Sequence, residues 1–133
     1  TGRPPRHPHR PRRIVSAQRT KGTRWETEVV RALHAAGFVH AERRALRGTA
    51  DRGDITGIPG LVIEAKNHRR AELAQWVDEA AAERDRDGAR YAAVWHHRRG
   101  KAAAEDGFVT MTGADFLRLL ADAYDLDRTA PDQ

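Results

Sequence analysis

Cysteine is absent from all 133 residues, which excludes a disulfide scaffold and cysteine-ligated zinc and makes a reducing, cytoplasmic setting the expectation. Serine occurs once, at Ser16, so a serine hydrolase has no nucleophile–base constellation to draw on. No glycine-rich loop of the GxxxxGK[ST] type is present, which removes ATP-driven motors from consideration, and no nucleotide cofactor is expected. No apolar run approaches the ~18 residues of a membrane span. The basic opening of the chain is followed by no hydrophobic stretch of signal-peptide type, so a soluble, intracellular protein with no membrane partner is expected. His96 and His97 do not form a metal site, because strand neighbours point to opposite faces and no third histidine is spaced to join them.

What the chain has in excess is positive charge. Twenty-four Lys and Arg against nineteen Asp and Glu give +5. The excess is uneven, with eight bases and no acid in residues 1–24. Prolines 4, 5, 8 and 11 fall in the same stretch, and residues 1–20 are expected to be a disordered basic arm. Such an arm contacts phosphates without reading sequence and loses affinity steeply with salt. The remainder, 21–124, is one domain's worth of chain, long enough to bury roughly two thirds of its unfolded surface. Residues 125–133 read as a flexible acidic tail.

The chemistry concentrates in one segment. Leu61–Lys66 has the β-branched, apolar character of a strand, and period-two alternation sends Leu61, Ile63 and Ala65 to one face and Val62, Glu64 and Lys66 to the other. Asp54 opens a second run, Asp54–Ile58, and Pro59-Gly60 is a turn signal that folds the two runs into a hairpin. This sets Asp54 beside Glu64. Two converging carboxylates suit Mg²⁺, a hard cation that takes oxygen ligands and keeps sites open for waters and substrate phosphates. A metal so held polarises a phosphoryl oxygen and acidifies a water. Lys66, on the Glu64 face, is placed to orient that water or to offset charge building on the phosphate. An exposed hairpin with a charged outer face fits the same spacing.

Two helices flank the hairpin. Apolar positions 25, 29, 32, 33 and 36 predict an amphipathic helix that stops at Gly37, with Thr23 as N-cap and Glu26 at N3, a pattern that also gives Glu26 a capping role. Ala71–Asp87 is a second helix, with Leu73, Trp76, Val77, Ala80 and Ala81 on one stripe and Gln75 at its border. A strand is expected around 39–44, another at Tyr91–His96, a last one at 108–111, and a closing helix from Thr112 or Gly113 to Tyr124. Trp25, Trp76 and Trp95 read as core anchors.

The order Glu26 on a helix, Asp54 on a strand, Glu64-Ala65-Lys66 on the next strand and Gln75 on the following helix resembles the PD-(D/E)xK nuclease superfamily. The likeness is nearest to the small Holliday-junction resolvases of phages and prophages of high-GC bacteria. It extends from about Lys21 to about Leu120 and includes Lys21–Glu26, Arg47–Ile55 and Glu64–Asn67. Gly53 stands where the family has the proline of its PD pair. The resemblance implies an α/β, restriction-endonuclease-like fold, a mixed central β-sheet flanked by helices. It implies Glu26, Asp54, Glu64 and the Ala65 carbonyl around Mg²⁺ (or Mn²⁺), Lys66 as catalytic lysine and Gln75 in support. It also implies products bearing a 5′-phosphate and a 3′-hydroxyl, and a bacterial or phage-infected host. A four-way junction offers two symmetric strands to cut, which suits a homodimer with one site per subunit.

Basic residues extend the expected DNA surface. Lys21, Arg24, Arg43, Arg44 and Arg47 lie before the Asp54 strand, and Asn67, His68, Arg69 and Arg70 follow the catalytic strand, positioned to hold backbone on either side of the metal. Arg98, Arg99 and Lys101 form a further basic loop. Other readings share parts of the pattern: a restriction or repair nuclease of the same superfamily, a non-catalytic DNA-binding module, and a protein-interaction domain of a phage.

Overall fold

The structure is a computed structural model that describes residue 2, residues 10–44 and residues 54–126, with the side chains of the first helix described from residue 20 onward. In chain order it contains α1 (Arg10–Ala35), β1 (Glu42–Arg43), β2 (Asp54–Thr56), β3 (Leu61–Lys66), α2 (Leu73–Asp87), β4 (Tyr91–His96), a 3₁₀ turn (Ala104–Asp106), β5 (Phe108–Thr110) and α3 (Gly113–Ala123). The sheet runs β1-β2-β3-β4-β5. Only β3 and β4 are parallel, joined by the α2 crossover, so the sheet is mixed and open.

Alternation along β3 decides the two layers. Ile63 and Ala65, with Ile55 of β2, face α1 and pack against Trp25, Val29, Ala32 and Leu33. On the opposite face Ala92 and Val94 of β4 pack against Trp76 and Ala80 of α2. The tryptophans tie layers as well as fill them: Trp25 Nε1 donates to the Trp95 carbonyl at 3.0 Å, and Trp95 Nε1 to the Ala104 carbonyl at 2.9 Å. His96 and His97 fall on opposite faces as expected, His96 against Trp76 and His97 against Trp25, with ring centroids 5.9 and 5.0 Å apart.

The hairpin turn depends on glycine at two places. Gly57 has φ 94°, and a Cβ there would lie 1.9 Å from the His40 carbonyl oxygen. Gly60, at φ 76°, also adopts the left-handed region that other residues rarely visit. β2 is consequently shorter than the expected Asp54–Ile58 run.

Several boundaries differ from the sequence reading. Helix α1 begins at Arg10, so Thr23 is an interior residue and caps nothing, and residues 10–20 are helical rather than part of an arm. Pro11 falls in the first turn, where its missing N–H is tolerated. Beyond it the Arg, Ala, Gln and Lys residues favour helix. β1 occupies only two of the residues expected around 39–44, because its ladder is limited to Glu42 opposite Thr56 and Arg43 opposite Ile55. Arg47 and the expected tail from residue 127 lie outside the described residues. Among the described residues no helix is long and apolar enough to cross a membrane.

Helix α3 is locked by one carboxylate. β5 pairs only with Val94–His96, leaving the first half of β4 without a strand on that side. Asp115 fills the gap: its carboxylate accepts the Ala92 N–H at 2.9 Å and Arg84 Nη1 at 2.8 Å on both oxygens, and it also pairs with Arg118. Thr112 caps the helix by accepting the Asp115 N–H at 3.0 Å.

Candidate active site and basic cleft

Asp54 and Glu64 are partners across the β2–β3 ladder. The Asp54 carbonyl accepts the Arg44 N–H at 3.0 Å, so the backbone of Asp54 faces β1. Asp54 and Glu64 are therefore a non-hydrogen-bonded pair, the position at which cross-strand side chains approach most closely. Both are buried, at 4% and 5% exposure. They open into a cavity of about 430 Å³ that Lys66, Glu79, Glu83 and Arg86 also line.

Lys66 completes the cluster. Its Nζ lies 3.0 Å from Glu64 Oε1 and 3.6 Å from Glu79 Oε2. Burial pushes the Glu64 carboxyl above its usual pKa even though Lys66 pulls the other way. The Lys66 carbonyl accepts the His97 N–H at 2.9 Å, on the β4 side. Backbone alternation then directs the Ala65 carbonyl to the β2 side, next to the Asp54–Glu64 pair. Asp54, Glu64, Ala65 and Lys66 thus come together on one side of the sheet.

Glu26 does not join them. It belongs to α1, on the opposite layer, and its carboxylate accepts Arg43 Nε at 2.7 Å. Among the described residues no group of three or more acids or histidines is close enough to hold a metal ion. Gln75 is exposed and donates to Glu79 at 3.0 Å, so it reaches Lys66 only through Glu79. Arg43 and Arg44, expected on DNA, are instead counter-ions. Alternation on β1 turns Arg43 to the α1 layer and Glu26, and Arg44 to the α2 layer, where it pairs with Glu83, with Asp87 at 2.8 Å and with Asp54 at 3.6 Å. Burial opposes the charge on Arg44, yet Asp87 and its neighbours raise its pKa above the usual value.

Glu79 and Glu83 were not singled out from sequence. The signal was available in the four-residue ladder Gln75, Glu79, Glu83, Asp87 on one stripe of α2, since like charges at that spacing repel unless cations face them. Here Lys66, Arg44 and Arg86 face them.

No family model, curated protein or solved structure matches this chain.

The remaining expected DNA contacts gather elsewhere. Lys21, Asn67, His68 and Arg69 line a cavity of about 280 Å³ together with His97 and Arg99. Arg24 lines an adjoining cavity of about 770 Å³, which shares Lys21, Asn67 and His97. Arg70 is exposed just beyond the strand end. Burial first, and then Lys66 and Lys21, depress the His68 pKa.

Proposed function

We propose that this chain is a Mg²⁺-dependent, structure-selective DNA endonuclease of restriction-endonuclease-like fold, acting as a homodimeric Holliday-junction resolvase. The observation that carries the hydrolytic reading is the Asp54–Glu64 cross-strand pair with Lys66 Nζ 3.0 Å from Glu64. Two buried carboxylates and the Ala65 carbonyl form an all-oxygen donor set, which suits a hard divalent cation and leaves positions for water and phosphate. When bound, Mg²⁺ or Mn²⁺ supplies Lewis-acid polarisation of the phosphodiester and lowers the pKa of a water.

The protein's own groups divide the remaining work. Asp54 and Glu64, both buried at the mouth of the cavity, would hold the cation. Lys66, tethered between Glu64 and Glu79, donates to the attacking water or to a phosphoryl oxygen as negative charge builds. Arg44 fixes Asp54 from behind through its backbone N–H and guanidinium. Glu26, held by Arg43 on the other layer, is left out of the cation's ligand set. The junction preference and the dimer rest on the resemblance of Lys21–Glu26, Arg47–Ile55 and Glu64–Asn67 to the small resolvases.

The test compares a labelled four-way junction, a matched linear duplex and a single strand, in Mg²⁺ and in EDTA, for the native chain, Asp54→Ala and Lys66→Ala. Paired symmetric cuts confined to the junction, abolished by EDTA and by both substitutions, are expected. Equal cutting of the linear duplex would retain the nuclease and discard the resolvase. Retention of DNA without cleavage under any metal would sink the enzyme and leave a DNA-binding module.

A further inference from the structure

The cations of this protein divide according to whether an acid faces them. Arg31, Arg43, Arg44, Arg84, Arg90 and Arg118 are each ion-paired. Lys21, Arg69 and Arg99 form no ion pair among the described residues, yet all three line the same cavity of about 280 Å³. No acid lines it. Its other walls are Asn67, His68 and His97.

The fold explains how they meet. β3 and β4 are parallel and end together, Lys66 beside His96. The two loops that leave them carry Asn67–Arg69 and His97–Arg99, and α1 brings Lys21 against both. Three cations converging without a counter-ion repel one another, and an anion in their midst removes that cost. Burial first, and then Lys21, depress the pKa of His97 in the cavity wall. Its neutral ring retains one N–H donor. The adjoining cavity of about 770 Å³ shares Lys21, Asn67 and His97 and gives a longer ligand room to continue. Glu28, the one acid in its lining, is bound to Arg31 at 2.7 Å.

We propose that the cavity bounded by Lys21, Arg69 and Arg99 is a phosphate-binding subsite, separate from the Asp54–Glu64 pair, with Asn67 as its neutral donor. Its ligand class is a phosphate of a nucleic-acid strand, either a phosphodiester inside the strand or a terminal phosphomonoester. The inference rests on the proposed nuclease reading only for the identity of the strand. Binding here requires neither metal nor cleavage.

The experiment uses the full chain in EDTA and measures fluorescence anisotropy of a labelled oligothymidylate with and without a 5′-phosphate, across a salt series. Arg99→Gln and Lys21→Gln are compared with Lys101→Gln, which removes the same charge from the same end of the sheet but lies outside the cavity. Arg99→Gln and Lys21→Gln are each expected to weaken binding about tenfold and to reduce the salt slope by roughly 0.7, the value for one phosphate contact on a single strand. Lys101→Gln is expected to cost less than about threefold, because a rim charge outside the cavity adds only to the diffuse field. A phosphorylated strand binding several-fold better assigns the cavity to a terminal phosphate, and equal binding assigns it to an internal one. Equal losses in Lys101→Gln and Arg99→Gln would reduce the cavity to a diffuse basic surface, and unchanged binding in Arg99→Gln and Lys21→Gln would remove the subsite altogether. None of these substitutions breaks an ion pair among the described residues, so thermal melts should stay close to that of the native chain. Metal-dependent cleavage is untouched by the assay, so the subsite and the nuclease reading fail independently.

Discussion

Asp115 and Glu64 are both buried carboxylates beside basic side chains, and the protein treats them in opposite ways. Asp115, 1% exposed, receives a backbone N–H and two guanidinium groups. Burial pushes its carboxyl up, but the Ala92 N–H and Arg84 outweigh that and hold it below the usual aspartate value. Glu64 has only Lys66 against its burial, shares that lysine with Glu79, and is held above its usual value. A fully satisfied buried acid is a fastener. A buried acid left short of donors is costly in the folded state, and such groups concentrate at functional sites. The first joins three elements, whereas the second lines a cavity with Lys66 as its partner.

Substitution separates the two most sharply. Asp115→Ala strands the Ala92 N–H and leaves Arg84 without its partner, and should destabilise the fold by about 3 kcal/mol. For a domain of this size that corresponds to a fall of roughly 10–20 °C in Tm, read by circular dichroism. A loss under about 1 kcal/mol would show that the α3 clamp does not hold the domain. Glu64→Gln should do the reverse, leaving Tm within a few degrees or raising it because a poorly compensated charge is gone. Metal-dependent cleavage should fall at least about 100-fold, equivalent to about 2.7 kcal/mol of transition-state stabilisation. Cleavage retained by Glu64→Gln would remove that carboxylate from the site.

The pH dependence should also run in opposite directions. Because the folded pKa of Asp115 lies below its ordinary 3.8, the stability it contributes is present above that value and is lost as pH falls through the depressed folded pKa. Because the folded pKa of Glu64 lies above its ordinary 4.5, its contribution is complete below 4.5 and is lost as pH rises through the elevated folded pKa. In EDTA, therefore, the Tm of Glu64→Gln minus that of the native chain should increase from pH 4.5 upward. A difference that is flat with pH would show that Glu64 is fully compensated. Added Mg²⁺ should stabilise the native chain more as pH rises through the elevated folded pKa of Glu64, since ligation requires the deprotonated carboxyl.

How far these arrangements were legible in the sequence follows from the range of the interactions. The β3 alternation and the Pro59-Gly60 turn are local, and they correctly set Asp54 opposite Glu64 with Lys66 on the same face. Trp25 and Trp76 as core residues followed from helical spacing in the same way. What was not legible depended on which layer an element joins. Glu26 has the right order in the chain, but α1 carries it to the opposite layer and Arg43. Arg44 reads as a surface base until the sheet sets it against Asp54, Glu83 and Asp87. Asp115 carries no sequence signal beyond its N3 position, because its role comes from the unpaired half of β4 and from Arg84, 31 residues away.

The smallest expected effect bears on the acid ladder of α2. The resemblance gives Gln75 a supporting role, yet its side chain hydrogen-bonds Glu79. Its hydrogen bond is exposed and spans one helical turn, a pairing worth about 0.2–0.5 kcal/mol. Gln75→Ala should therefore change cleavage by less than about threefold and leave Tm unaltered. Glu79→Gln removes a carboxylate that shares Lys66 with Glu64, so the lysine should swing wholly to Glu64 and draw its pKa back toward the usual value. A titration of Glu64 by carboxyl NMR in the two variants checks this: Gln75→Ala should match the native curve and Glu79→Gln should shift it down. If Gln75→Ala moved the curve as far as Glu79→Gln, Gln75 would belong to the site itself, and the line drawn between the acids that hold Lys66 and those that only rim the cavity would have to move outward along α2.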